Sequence, residues 1–96
     1  MVALPFDTDK LIEICRRNNV SKLSVFGSVA RGEADDQSDV DLLIEFSKRK
    51  SLLALVALKR QFSAALGRKV DLLTEAAISP YLRDRIKQDR RLIYEA

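Results

Sequence analysis

The sequence predicts an α/β (α+β) fold: a small mixed β-sheet with helices packed mainly against one face. Three observations predict it. Segments with helical apolar spacing alternate along the chain with short strand-like apolar runs. No linker, repeat or low-complexity segment interrupts that alternation. A length of 96 residues supports one modest core, so residues 1–96 are expected to form a single domain.

Asp7 or Thr8 can cap a first helix running to about Asn19. Leu11, Ile12, Ile14 and Cys15 recur at helical spacing, Arg16 and Arg17 suit the negative end of the helix dipole, and Asn18-Asn19 breaks the helix. Val20 to Phe26 reads as a strand that Gly27 ends. Ser28 to Arg31 opens a short helix, and Gly32 to Ser38 is polar and loop-like. Val40 to Phe46 is densely apolar, as expected of a central strand. Ser51 caps a long helix to Leu66, with Leu52, Leu55, Val56, Phe62 and Leu66 as its apolar stripe and Gly67 as its stop. Lys69 to Leu73 is a third strand. Ser79-Pro80 begins another helix, because proline fits a first turn, and Leu82 and Ile86 are its i, i+4 apolar pair. Leu92-Ile93-Tyr94 forms a short last strand.

Composition removes several kinds of chemistry. The chain has no histidine, which excludes His-based catalysis and the commonest zinc ligand. Any metal must be held by oxygen, which favours magnesium or manganese. The single cysteine, Cys15, can form no internal disulfide and falls on an apolar helical stripe, so it reads as core. No apolar run approaches the ~20 residues that span a bilayer. The first residues show no signal-peptide pattern, and a cytoplasmic location is expected.

Charge is unevenly distributed. Residues 33–45 carry Glu33, Asp35, Asp36, Asp39, Asp41 and Glu45 without a Lys or Arg, within a chain of net charge +3. Glu33, Asp35 and Asp36 read as solvated loop acids. Lys48-Arg49-Lys50 reads as a solvated loop, and Arg83, Arg85, Lys87, Arg90 and Arg91 as an exposed helix face. No aromatic platform accompanies these cations, so direct nucleic-acid binding is not expected. Packing is the expected role of Tyr81 and Tyr94.

Asp39 and Asp41 do not fit a solvated loop, because they flank and enter an apolar run. Two apart on a strand, they project from one face with Cα atoms roughly 6–7 Å apart. Carboxylates at that spacing can share a divalent ion, which relieves the repulsion that otherwise raises a pKa. Asp71 interrupts another apolar strand, Lys69-Val70-Asp71-Leu72-Leu73. If the two strands pair, Asp39, Asp41 and Asp71 can ring two metal ions about 4 Å apart, with Asp71 placed to accept a hydroxyl proton. Gly27 permits close approach of a ligand, and Ser28 and the following amides can donate to phosphate oxygens. Arg31 can reach a phosphate or pair with Glu33, Asp35 or Asp36.

Together, Gly27-Ser28-x-Ala30-Arg31-Gly32, Ser38-Asp39-x-Asp41 and the later Asp71 resemble the nucleotidyltransferase superfamily related to DNA polymerase beta. The Gly32-Glu33-Ala34 continuation and the chain length resemble its minimal nucleotidyltransferase branch. The resemblance implies the polymerase beta-like nucleotidyltransferase fold. It also implies an antitoxin that transfers AMP from ATP to a tyrosine of a HEPN-type ribonuclease toxin, releasing pyrophosphate. Asp39, Asp41 and Asp71 would then bind Mg²⁺ and serve catalysis, while Gly27, Ser28 and Arg31 would bind the nucleotide. Two other outcomes stay open: an antitoxin that neutralises its toxin by binding alone, and nucleotide addition to RNA.

Overall fold

Local signals set the helix ends in the computed structural model, which describes residues 6–33 and 39–96. Asp35, Asp36, Ser38 and Ala34, named above, lie outside the described residues, as does the start of the chain. Asp7 caps α1 (Thr8–Arg17) by accepting from the Asp9 amide at 3.0 Å. At the other end Asn18 Nδ2 donates to the Ile14 carbonyl at 2.7 Å, and Asn19 turns the chain through a φ of +58°. Asn19 also ties the start of β1 (Val20–Phe26) to the segment after β2 (Val40–Phe46). Its carbonyl accepts from the Ser47 amide at 2.9 Å, and its Oδ1 accepts from Lys50 Nζ at 3.1 Å.

Gly27 starts a single-turn helix, α2 (Gly27–Ala30), directly from the end of β1. Ser51 caps α3 (Leu52–Leu66) by accepting from the Ala54 amide at 3.1 Å, and Gly67 ends it in the left-handed conformation. β3 (Val70–Thr74) follows, then a 3₁₀ turn at Glu75–Ala77 that the sequence did not signal. Ser79 caps α4 (Pro80–Asp89), and β4 (Arg91–Glu95) completes the chain. Arg90 and Arg91 therefore lie beyond the helix face on which they were expected.

The four strands form one mixed sheet in the order β3-β2-β1-β4. β1 runs antiparallel to β2 and to β4, while β2 and β3 are parallel and joined through α3. β2 is interior, as its apolar density predicts. One face of the sheet carries Leu23 and Val25 from β1, Val40, Leu42 and Ile44 from β2, and Val70 from β3. These pack against Leu11 and Cys15 of α1 and Leu58 and Phe62 of α3. The other face holds a smaller cluster, in which Leu43 meets Ile78 and Ile86, flanked by Phe26 and Leu73. Helices thus cover mainly one face, with α4 on the second. Burial pushes the Cys15 thiol up to about 12, which fits an inert core residue.

Two helix faces depart from expectation. In α3 the inward line is Leu55, Leu58, Phe62 and Leu66, whereas Leu52 and Val56 are 76% and 43% exposed. The helix is apolar around most of its circumference, so periodicity alone does not fix which arc turns inward. In α4 only Ile86 of the Leu82–Ile86 pair is buried, and Tyr81 is almost fully exposed rather than packed. Among the described residues, no helix is long and apolar enough to cross a membrane.

Phe62 is fully buried between α3 and the sheet. Phe62→Ala is expected to cost about 3–5 kcal/mol, because its neighbours cannot collapse into the space. Leu53→Ala, at a position 81% exposed, is expected to change stability by less than about 0.5 kcal/mol. Urea midpoints of the two variants check both.

Candidate active site

The parallel register sets Asp41 of β2 directly beside Asp71 of β3. In-register neighbours on adjacent strands project from the same face, with backbones about 4.8 Å apart. That face is the one opposite the larger core, since Val40, Leu42 and Val70 turn the other way. Burial is the largest cause that pushes the Asp41 carboxyl group above the usual carboxylate range. The charges of Asp71 and Asp39 push in the same direction, as does a hydrogen bond with Asp71, while Arg31 pulls it down. Asp39 stands just before β2 rather than within it. Its carboxylate is 44% exposed and lies 3.9 Å from Lys69 Nζ.

Gly27 closes over Asp41. Its φ is +74°, and a Cβ built there would overlap Asp41 Oδ2. The backbone conformation favours glycine, and the close approach means that any larger residue would displace the Asp41 carboxylate. Ser28 follows in the first turn of α2, whose N-terminus has no side-chain cap. The structure thus brings Gly27, Asp41 and Asp71 together, with Ser28 and Asp39 flanking them.

Arg31 turns elsewhere. Its Nε donates to Glu33 Oε2 at 3.0 Å, one of the partners its sequence context offered, and its Nη1 donates to Asp89 Oδ2 at 2.9 Å. Asp89 was not foreseen: it lies on α4, and no local pattern links it to Arg31. A cleft of about 310 Å³ adjoins this pair, lined by Ala30, Arg31, Gln88, Asp89, Arg90 and Arg91. None of the three candidate acids lines it, so it does not enclose the carboxylates.

The donor set suits a hard divalent cation. Its ligands are carboxylate oxygens, and the conflict between Asp41 and Asp71 is one that a bound cation relieves. Among the described residues, no three acid, Cys or His side chains are gathered closely enough to hold an ion between them as they stand. The close pair is Asp41–Asp71, and Asp39 reaches toward Lys69 instead.

Two expectations follow. Gly67 has a φ of +63° and open space around it, so Gly67→Ala should cost about 1–2 kcal/mol from backbone strain alone. Gly27→Ala should cost somewhat more, because it also displaces the Asp41 carboxylate, and Asp41→Ala in the same chain should recover that excess. Thermal or urea unfolding of the three variants separates the terms. The second expectation concerns pH. A raised folded-state pKa means that folding favours the protonated carboxyl group, a contribution complete below the unfolded value and lost as pH rises through the folded one. At neutral pH the ionised Asp41 therefore opposes folding. Asp41→Asn should raise stability in EDTA-containing buffer at neutral pH, and the gain should vanish below about pH 4.

The nucleotidyltransferase domain family matches residues 8–93 of the chain. A candidate protein adenylyltransferase of Methanocaldococcus jannaschii is 48% identical over 77 residues, covering 80% of this chain and 83% of the relative. A chain of a toxin–antitoxin complex solved with AMP-PNP is similar with a TM-score of 0.81 at 22% identity, over 94% of this chain and 74% of that one. A chain from the complex of tri-AMPylated Shewanella oneidensis HEPN toxin with MNT antitoxin gives a TM-score of 0.71 at 20% identity, over 93% of this chain and 70% of that one. At those identities the two structures share the fold. The sequence match runs from α1 into β4 and spans both paired strands and their carboxylates, and on it the chain belongs to the nucleotidyltransferase domain family.

Proposed function

We propose that residues 1–96 act as a single minimal nucleotidyltransferase domain that transfers AMP from ATP to a tyrosine hydroxyl of a HEPN-type toxin, for which the chain is the antitoxin. One observation carries the reading: Asp41 and Asp71 lie side by side, with Gly27 against Asp41. The adenylyltransferase name of the M. jannaschii relative supports the reaction. The AMP-PNP and AMPylated-toxin complexes among the structural neighbours support the nucleotide and the acceptor. A reaction that consumes ATP is consistent with a cytoplasmic protein.

In this reading the Gly27 and Ser28 amides donate to phosphate oxygens, and the small size of Gly27 lets those phosphates approach Asp41. Asp41 and Asp71, joined by Asp39 once it leaves Lys69, would hold Mg²⁺, one ion or two, which would neutralise the triphosphate and lower the pKa of the attacking hydroxyl. Asp71 takes the hydroxyl proton. The tyrosine oxygen forms a bond to the α-phosphorus as the bond to pyrophosphate breaks, and pyrophosphate leaves. Such a transfer needs positioning and charge compensation, which a site without His or a reactive Cys can supply.

Incubation of the purified chain with α-labelled ATP, Mg²⁺ and a HEPN toxin tests the proposal. Label should appear on a toxin tyrosine, and Asp41→Ala or Asp39→Ala should lower the rate by roughly 10²–10³-fold. Transfer that survives both substitutions unchanged refutes the mechanism. A triple-acid variant that still protects cells assigns neutralisation to binding alone, and label on RNA ends assigns the chain to RNA modification.

A further inference from the structure

The one-turn helix α2 cannot hold its own geometry. A single turn fixes several dihedral angles for few hydrogen bonds, and no side chain caps this one. Yet α2 begins with the glycine that sets the approach to Asp41. Val29 and Ala30 bury its inner side in the larger core, which leaves its C-terminal end to be held by contacts from outside.

Two side chains from the α4–β4 corner reach it. Arg91 Nε donates to the Ala30 carbonyl at 2.7 Å, satisfying a carbonyl at the C-terminal end of α2. Asp89 Oδ2 accepts from Arg31 Nη1 at 2.9 Å, just past that end. The bonds are crossed in polarity: the corner supplies a cation to a backbone acceptor and an anion to a side-chain cation. Asp89 is 24% exposed in its side chain and Arg31 is 37% exposed, so the pair is shielded more than an ordinary surface ion pair.

The corner is itself anchored to the strands that carry the acids. Ile86, one turn before Arg90, packs with Leu43 and Leu73, each two residues beyond an acid on the same strand face. Arg91 pairs with Val25 in the sheet, two residues before Gly27. Arg90 Nη1 adds a 4.0 Å contact to Glu75 Oε1. The frame that presents Asp41 and Asp71 thus also grips α2.

We propose that Asp89 and Arg91 are positioning residues that clamp α2 and so set the distance between Gly27 and Asp41. Neither touches the carboxylates or, in the reading above, the phosphates. Their effect on nucleotide binding rests on the proposed function, whereas their effect on α2 does not.

Amide hydrogen exchange and transfer kinetics test the two parts separately. Asp89→Asn keeps the size of the side chain and removes its charge, and Arg91→Met removes the donor to the Ala30 carbonyl while keeping the length of the stem. Each should speed exchange at residues 27–31 by roughly tenfold while core amides of β1 and β2 stay protected. Each should also raise KM for ATP by roughly tenfold with a smaller change in kcat, and Asp89→Glu should recover most of both. Unchanged exchange at residues 27–31 overturns the clamp, and so does faster exchange spread evenly over the chain. If exchange responds as expected but the unaltered protein transfers no AMP, the clamp stands and the adenylyltransferase reading fails.

Discussion

The register between β2 and β3 is the constraint on which the site depends. Val40, Leu42 and Ile44 must face α1 and α3 to make the core, and Val70 must join them. Side chains alternate, so Asp41 and Asp71 are forced onto the opposite face and, in this register, beside each other. A slip of one residue in β3 would send Asp71 into the core and bring Val70 out. Burial of unrelated apolar side chains thus does the work of aligning two carboxylates.

That alignment has a thermodynamic cost that the surroundings contain. Asp41, raised in pKa by burial and by the charges of Asp71 and Asp39, opposes folding at neutral pH. Lys69 stands near Asp39, and Arg31 favours the charged form of Asp41. Beside the acids, Leu43, Leu73, Ile78 and Ile86 give the same face its own small apolar cluster, so the sheet is not left bare around its polar site. Local destabilisation at a functional position, offset by packing next to it, is a common compromise.

Much of this was legible in the sequence, and what was not has physical reasons. β1 and β2 are read from their apolar runs because strand signals are local. Ser51 and Gly67 mark the ends of α3 because caps answer to backbone groups within a few residues. The inward arc of α3 was misjudged at Leu52 and Val56 because a mostly apolar helix presents no clear boundary. The tie between Arg31 and Asp89 was invisible because a bond across 58 residues leaves no periodic trace. The nearness of Asp41 to Asp71 could be stated only as conditional on pairing, since alternation gives a face but not a neighbour. Asp39 sits outside the ladder, where strand alternation no longer governs where its side chain points.

The parallel pairing of β2 with β3 also bears on how the molecule comes together. A hairpin can form from adjacent residues, but parallel strands meet only after the intervening helix has crossed over and docked. Asp41 and Asp71 are therefore neighbours only once α3 has settled on the sheet. Contacts of such sequence separation require loop closure before they bring any reward, and they form late and slowly. A newly made or partly unfolded chain can hold the β1–β2 hairpin and still lack the carboxylate pair. Chemistry at this site is then confined to molecules that have finished folding.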